Sequence, residues 1–364
     1  MKKIRLTSIC SPKQWRTIPT KDLLDEGYPV YGANGVIGYC KEYNHTSDTI
    51  IIGCRGSCGN VNIARGKSYI NGNAMCLDDL SSDVDILYLY YFLQNYDFRS
   101  VISGTTIPQV TKQGLEKIDV VVSSKENQRE IVRQLQLLDS IIEERHKELR
   151  YFDALIKSRF IEMFGDPVTN PLRWAMLPLE KCLTVLGGYA FKSEEFKTSG
   201  VPVLRIGNIN TGAFTPTNMV YWSKDDCLTR YQVLPGDLVI SLTGTVGKDD
   251  YGNVCILGNA YPMYYLNQRN AKLILDDELN KHYLSELLKF SQIKKKLTGI
   301  SRGVRQANIS NRDILNLVVP IPPIEIQVQF AAFVEQVDKS KFEIQQSLEK
   351  LEILKKSLMQ QYFG

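Results

Sequence analysis

Apolar residues recur at alternating spacings of four and three in two long stretches of the chain. The first series is Ile131, Leu135, Leu138, Ile142, Leu149, Phe152 and Ile156, and the second is Phe330, Val334, Val337, Ile344, Leu348 and Leu351. Such spacing over three or more heptads is typical of a coiled-coil seam, although Arg145 and Lys341 interrupt it. We therefore predict long helices at 123–165 and 322–364. An amphipathic helix lying on its own domain is the alternative, but two copies of this length favour one helix packing on the other.

The remaining segments, 1–122 and 166–321, carry short apolar runs instead of a helical period. Runs such as Thr49–Ile52, Val201–Ile206 and Leu238–Leu242 are bounded by Gly, Pro, Asn and Asp, which is typical of strands. The sequence thus predicts an α+β protein in the order domain, helix, domain, helix, with both domains β-rich.

The chain is an internal repeat. Residues 104–165 match 303–364 without a gap at an offset of 199, and the two copies end in Phe164-Gly165 and Phe363-Gly364. The domains match more weakly, for example 27–30 with 200–203 and 48–59 with 237–247. A duplicated unit implies approximate two-fold symmetry, for which an antiparallel helix pair is the natural closed arrangement.

Composition narrows the class of protein only slightly. The chain is 43% hydrophobic and 23% charged, as in a soluble globular protein, and its net charge of +4 permits nucleic-acid binding without requiring it. Eight cysteines without a preceding secretory signal are expected to be reduced thiols in a cytoplasmic protein. No apolar run is long enough for a membrane span.

Motifs for catalysis or metal binding are missing from the sequence. Neither Asp166-Pro167 nor Asn170-Pro171 continues into the Pro-aromatic pair that holds a flipped adenine in a methyltransferase. The run Leu242–Asp249 lacks the first Gly of a P-loop, and Cys54 and Cys58 have no second pair of zinc ligands. We expect no catalytic residue, no cofactor and no metal ion.

Two matching glycine loops, Arg55–Gly59 and Thr243–Lys248, are the best local candidates for a binding site. Glycine lets the backbone approach a surface, and free N–H groups and hydroxyls suit phosphate oxygens, although a structural turn is the alternative. Arg and Lys read guanine best, and Asn and Gln read adenine. The candidate DNA-binding residues are Tyr31, Asn34, Arg55, Ser57, Asn60, Asn62, Arg65, Lys67, Gln109, Arg205, Asn208, Asn210, Thr243, Thr245, Lys248, Arg269, Arg302, Arg305 and Gln306. For any one of them, a solvated surface position is the competing interpretation.

The segment before each domain's last strand matches in position but not in chemistry. It reads Gly-Ile-Ser-Arg-Gly-Val-Arg-Gln at 299–306 and Gly-Thr-Thr-Ile-Pro-Gln at 104–109. Two domains that face the two different halves of one target would show this difference.

The helical regions resemble the specificity (S) subunit of type I restriction-modification systems. The resemblance lies in the Pro-Ile-Pro-Pro-Ile-Glu-Ile-Gln run at 320–327, the heptads after it and the ending at 354–364, which 126–128 and 155–165 repeat. It implies two target-recognition domains, 1–122 and 166–321, each reading one half of a bipartite DNA site. The implied partners are double-stranded DNA, two methyltransferase subunits docked on the helices and, in complexes that also cleave, restriction subunits. The first copy has Val-Ser-Ser where the second has its Pro-rich run.

Repeat and resemblance together predict a non-catalytic subunit that selects an asymmetric bipartite DNA site, with half-sites about one helical turn apart. Two other functions stay open at this point. One is a stand-alone DNA-modifying enzyme with degenerate motifs, and the other is a coiled-coil scaffold that does not bind DNA.

Overall fold

The computed structural model describes residues 2–104, 108–209, 211–299 and 306–364. The described chain divides into two compact units, which are treated separately below. The first unit comprises residues 1–147 and 344–364, and the second comprises residues 148–343.

The first unit is built mainly from short strands and one helix of ten residues. Its strands are β1 (Lys2–Arg5), β2 (Ser11–Gln14), β3 (Tyr28–Gly32), β4 (Gly35–Cys40), β5 (Thr49–Gly53), β6 (Val61–Ala64), β7 (Tyr69–Ile70), β8 (Ala74–Asp78), β9 (Ile102–Ser103), β10 (Gln109–Val110) and β11 (Asp119–Val122). Its helices are α1 (Leu6–Ile9), α2 (Ile86–Asn95), α3 (Lys112–Leu115), the first part of α4 (Lys125–Phe164) and the last part of α8 (Ile324–Phe363).

The described strands of this unit form four sheets, of which the pair β10-β9 is the shortest. An antiparallel sheet has the order β2-β8-β5-β6, a second has the order β4-β3-β7, and β1 pairs with β11. Strand β5 is buried along its whole length because it lies in the middle of the first sheet, which explains its run of three isoleucines. The main core is formed where this sheet meets α2 and the helical segments.

The second unit repeats this plan with additions. Its strands are β12 (Ala175–Pro178), β13 (Leu183–Gly187), β14 (Val201–Leu204), β15 (Val220–Trp222), β16 (Gln232–Val233), β17 (Leu238–Ser241), β18 (Thr243–Thr245), β19 (Val254–Ile256), β20 (Tyr264–Leu266), β21 (Asn270–Leu275), β22 (Gln306–Asn308) and β23 (Val318–Ile321). Its helices are α5 (Lys281–Lys289), α6 (Ser291–Thr298), α7 (Asn311–Leu315), the last part of α4 and the first part of α8 (Ile324–Phe363).

Three sheets of the second unit correspond to three sheets of the first. The order β13-β21-β17-β19 repeats β2-β8-β5-β6, and β12 pairs with β23 as β1 does with β11. The sheet β15-β14-β20-β16 repeats β4-β3-β7 and gains β16. The predicted β-rich repeat is confirmed, and the added strand accounts for part of the second domain's greater length.

A glycine at the same place in both units shows how close the repeat is. Gly27 has a φ of +129° and Gly200 a φ of +127°. A β-carbon on Gly27 would lie 2.4 Å from the Cys40 carbonyl oxygen, and one on Gly200 would lie 2.3 Å from that of Trp222. Only glycine fits here, because both the backbone angle and the neighbouring strand exclude a side chain.

A buried glutamine joins each domain to the start of its long helix. Gln128 donates to the carbonyl oxygens of Asp83 (3.0 Å) and Ser123 (2.8 Å) and accepts from the Asp85 N–H (2.8 Å). Gln327 forms the matching bonds with Glu278, Pro322 and Asn280. Both side chains are fully buried, so the gapless match between 104–165 and 303–364 preserves a tertiary hydrogen-bond network.

The two long helices pair antiparallel within each unit. In the first unit Tyr362 donates to Gln134 at 2.6 Å and Lys355 pairs with Asp139 at 2.5 Å. In the second unit Phe330 packs on Phe160, and Lys341 pairs with Asp153 at 2.6 Å. The predicted coiled coil is confirmed, and every apolar residue of its two seams is buried or half-buried. Lys341, which interrupts the seam, has an ionic partner there.

The last turn of each helix completes a core. Phe164 packs edge-on against Tyr283 with ring centroids 4.8 Å apart, and Phe363 packs in the same way on Tyr88 at 5.3 Å. Tyr88 and Tyr283 donate to the Val121 and Pro320 carbonyl oxygens, which are also repeat-equivalent. The apolar ending of the sequence is therefore buried. Among the described residues, no helix is long and apolar enough to cross a membrane.

Candidate nucleic-acid interface

The first unit contains a groove beside its glycine loop, which we call the first groove. It is a cavity of about 520 Å³ between the residues around β6, the end of α2 and the last turns of α8. Its polar lining is mostly amide, from Asn34, Asn60, Asn62, Gln94 and Asn95, with Glu352, Lys355 and Lys356 contributed by α8.

The second unit contains a groove at the corresponding place, the second groove. It is a cavity of about 1130 Å³ between the loop before β19, helices α5 and α6, and the helix pair. Its polar lining is rich in lysine, namely Lys157, Lys248, Lys289, Lys294, Lys295 and Lys341. Several of these are paired with acids, including Lys289 with Glu286 and Lys341 with Asp153.

The two grooves are formed by equivalent elements of the two units but are lined by different side chains. Lys157 on α4 and Lys356 on α8 are equivalent at the offset of 199, and each lines the groove of the unit that its helix end completes. Asp153 and Glu352 form a second matched pair. The amide groups of the first groove each offer both donors and acceptors, whereas the second combines ammonium donors with the carboxylate acceptors of Asp153, Asp249, Glu286 and Asp338.

The glycine loops lie at the edges of these grooves. In both units the segment before the last strand passes the loop, since Val110 donates to the Cys54 carbonyl (3.1 Å) and Ile309 to that of Leu242 (2.8 Å). Gly59, with a φ of +82°, packs so closely on Phe98 that a β-carbon would lie 2.7 Å from it. These loops are therefore held against their domains, with Arg55 and Lys248 exposed to solvent.

The candidate residues of the first unit fall into three places. Asn34 and Asn60 are exposed and bonded to each other at 2.6 Å in the first groove, which Asn62 also lines. Arg55 and Ser57 lie in the glycine loop, and Gln109 lies in β10. The third group lies further along β6 and after it.

That third group is held by an ion pair. Arg65 pairs with Asp48 at 2.5 Å, and its N–H donates to the Tyr31 hydroxyl at 3.4 Å. The Gly66 backbone N–H and then Arg65 hold the pKa of Asp48 below its usual value, so the pair is ionised at neutral pH. Lys67 lies over the Tyr43 ring at 5.2 Å.

In the second unit the candidate DNA-binding residues differ sharply in solvent exposure and in how far their side chains are already hydrogen-bonded. Lys248 and Arg269 are exposed. Asn208 is 3% exposed, and its amide bonds to the Arg205 N–H and to the carbonyls of Thr215 and Thr217. Because these hydrogen bonds occupy the Asn208 amide, the side chain stabilises its own loop instead of facing a ligand.

The remaining candidates of this unit lie around β18. Thr243 donates to Asn308, and Thr245 bonds twice to Asp250, whose pKa the Thr245 backbone N–H lowers. Gln306 begins β22 opposite Thr245 in the register of β18 and β22. Asn210, Arg302 and Arg305 lie outside the described residues.

Sequence reasoning missed the contribution of the helices to the grooves. Lys157, Lys356 and the α6 lysines were not among the candidates, because a helix predicted as a spacer gives no reason to expect groove residues. The repeat did contain a signal, since Lys157 and Lys356 match at the offset of 199.

A cluster of His45, Cys76 and Asp78 was also not expected. Their potential ligand atoms lie within 4.8 Å of one another. Each already has a partner in the fold, because His45 lies between Asn44 (2.7 Å) and Asp78 (2.9 Å), and the Trp15 indole N–H donates to the Cys76 sulfur (3.3 Å). We interpret the cluster as a hydrogen-bonded contact between the loop after β4 and strand β8.

Comparisons with known proteins identify the family. A family model described as the type I restriction modification DNA specificity domain matches residues 1–150 and 171–355. The type I restriction enzyme MjaVIII specificity subunit of Methanocaldococcus jannaschii is 26% identical over 318 residues, which cover 80% of this chain and 73% of that protein.

Two solved structures share the fold. The S subunit of a type I restriction-modification system from M. genitalium matches with a TM-score of 0.62 at 18% identity, over 100% of this chain and 96% of the other. A structure described as the basis of complex assembly and conformational transition of the type I R-M system matches with a TM-score of 0.54 at 17% identity, over 100% and 97% of the two chains. The chain therefore belongs to the family of type I restriction-modification DNA specificity subunits, which are the non-catalytic recognition subunits of these systems.

Proposed function

We propose that this chain reads a bipartite, asymmetric DNA site, one half with each unit, and recruits methyltransferase subunits to it. The first groove and its loop read one half-site, and the second groove and its loop read the other. The two long helices fix the spacer between the half-sites.

The twin grooves are the observation that carries this proposal. They occupy equivalent places beside equivalent loops, yet the polar lining of the first is mostly amide, whereas that of the second is mostly charged, with six lysines and the acids Asp153, Asp249, Glu286 and Asp338. A shared frame with different chemistry is what a protein needs to read two half-sites of different sequence. Amide side chains suit adenine and lysines suit guanine, so the two half-sites should differ in base composition as well.

Exposed leucines on the helices support docking of two copies of one partner. Leu155 and Leu354 are equivalent at the offset of 199, and each is 46% exposed. A single exposed leucine is ordinary on a protein surface. A repeat-equivalent pair with the same exposure fits two identical contacts with two methyltransferase subunits.

The test is to express the chain with the methyltransferase subunit encoded by the same genome and to map the methylated bases. We expect one motif made of two defined halves around an unspecified spacer. Asn60→Ala should relax one half and Lys248→Ala the other, each by about 1–3 kcal/mol of discrimination if the residue contacts a base edge.

Four outcomes would contradict the proposal. A contiguous motif would exclude reading by two separate units. Variants that each alter both halves would exclude the division of labour between the grooves. Methylation that does not depend on the chain would leave the scaffold function, and methyl transfer by the chain alone would identify an enzyme.

A further inference from the structure

A buried lysine on α6 anchors the glycine loop of the second unit. Lys294 is 8% exposed although it carries an ammonium group. Among the described residues, its acceptors all belong to the segment after the loop. They are the Asn253 Oδ1 at 2.6 Å, the Asp249 carbonyl at 3.5 Å and the Asp249 carboxylate.

Neighbouring contacts hold the same segment to the same helix. The Tyr251 hydroxyl donates to the Thr298 carbonyl, at the end of α6, at 2.8 Å. Gly252 has a φ of +68°, and a β-carbon there would lie 3.1 Å from the Thr298 methyl group. The segment 249–253 therefore has little freedom to change its conformation while α6 is in place.

The tip of the loop is fastened separately. Asp250 accepts from the Thr245 N–H at 2.8 Å and from its hydroxyl at 3.0 Å, which closes the turn between them. Val246, Gly247 and Lys248 are left exposed on an ordered base. Lys294 thus fixes the stem of a loop whose tip faces solvent.

Stability alone does not explain a lysine in this position. Burying an ammonium group is costly, and an ion pair with a carboxylate that is 87% exposed, as that of Asp249 is, returns little of this cost. The first unit holds its equivalent loop without one, by packing Gly59 on Phe98 and by a bond from the Cys58 thiol to the Pro108 carbonyl (3.0 Å). Among the described residues, a buried lysine that anchors the glycine loop is therefore found in the second unit and not in the first.

We propose that Lys294 is a positioning residue that holds the Thr243–Lys248 loop in the conformation that reads the second half-site. This inference rests on the proposed function. A preorganised loop loses little conformational entropy when it binds. Loosening of the stem, residues 249–253, should therefore lower both the affinity and the base specificity of that loop.

The test compares Lys294→Met with Lys296→Met in the full chain. Lys296 is an exposed lysine of the same helix, so its substitution removes the same charge without touching the loop. Hydrogen–deuterium exchange should rise about tenfold in 246–253 for Lys294→Met only, corresponding to about 1.4 kcal/mol of easier opening. Lys294→Arg should restore part of the protection.

The second readout is the methylated motif, obtained with the methyltransferase subunit of the same genome. Lys294→Met should relax, by about tenfold, the half-site that Lys248→Ala affects and should leave the other half unchanged. If Lys294→Met does not fold, Asn253→Ala removes an acceptor from the loop side and should give the same pattern.

The outcomes separate the two proposals. Unchanged exchange in 246–253 overturns the anchoring role whatever the motif shows. Raised exchange with both half-sites relaxed equally, or with neither relaxed, overturns the positioning role. A wild-type chain without a bipartite motif overturns the proposed function and with it the DNA role of Lys294, while the anchoring itself is judged by exchange.

Discussion

Phe363 offers a sharp test of the finding that the end of the chain is part of the first unit's core. The side chain is 7% exposed and packs edge-on against Tyr88 and Phe92, with ring centroids 5.3 and 5.9 Å away. Met359, one turn earlier, is buried in the same cluster. Phe363→Ala removes a ring from this cluster and leaves a cavity.

The expected loss follows from this burial. Phe→Ala in a packed core costs about 3–5 kcal/mol, which includes the transfer term and the cavity. Because helix ends fray, part of the cavity can collapse, so we expect a value near the lower limit, about 3 kcal/mol. For a unit of this size that corresponds to a fall in melting temperature of roughly 6–12 °C.

The assay is hydrogen–deuterium exchange in a urea series, which gives a separate stability for each unit. Helix α2 reports the first unit and α5 the second. Ile353→Ala is the matched control, because Ile353 lies on the part of α8 that belongs to the first unit but is 69% exposed, and surface substitutions usually stay within about 0.5 kcal/mol. An unchanged stability of α2 in Phe363→Ala, or an equal loss in the control, would refute the reasoning.

Three further predictions concern the glutamine network, pH and the spacer. Gln128→Met should lower the stability of the first unit by about 1–3 kcal/mol, since it removes three hydrogen bonds between a fully buried side chain and part-buried backbone groups, and urea unfolding would measure this. Burial, with Lys281 adding to it, lowers the pKa of His282 from 6.5. As pH falls below 6.5 the unfolded chain takes up this proton before the folded one, so stability should drop, and His282→Gln should flatten the drop in unfolding curves between pH 7.5 and 5.5. One heptad added to each long helix should lengthen the accepted spacer by about three base pairs while both half-sites stay the same. An unchanged spacer would contradict the proposal that the two long helices fix its length.

The helices and the repeat were predictable from sequence because they depend on local spacing. The seam positions recur every three or four residues, so burial of Leu135 and Phe330 follows from a periodicity that a single sequence displays. The repeat added the antiparallel pairing, which no single helix could have indicated. The bounds 1–122, 123–165, 166–321 and 322–364 stay predictions of domain organisation.

The grooves were not predictable, because they combine residues far apart in the chain. Lys356 reaches the first groove beside Asn60, and Lys157 reaches the second groove beside Lys248. Pattern also does not distinguish a free polar side chain from an engaged one. Asn208 and Lys248 look equally suitable in sequence, but only the folded chain places one in an internal network and the other in solvent.

The most direct test of the central claim replaces the first domain by that of a relative. Residues 1–122 would be replaced by the corresponding segment of another type I specificity subunit, and the methylated motif would be mapped with the same methyltransferase partner. The account predicts that one half-site changes to that of the donor while the other half-site and the spacer stay the same. A motif that changes in both halves, or in neither, would contradict the claim that each unit reads its own half of the DNA site.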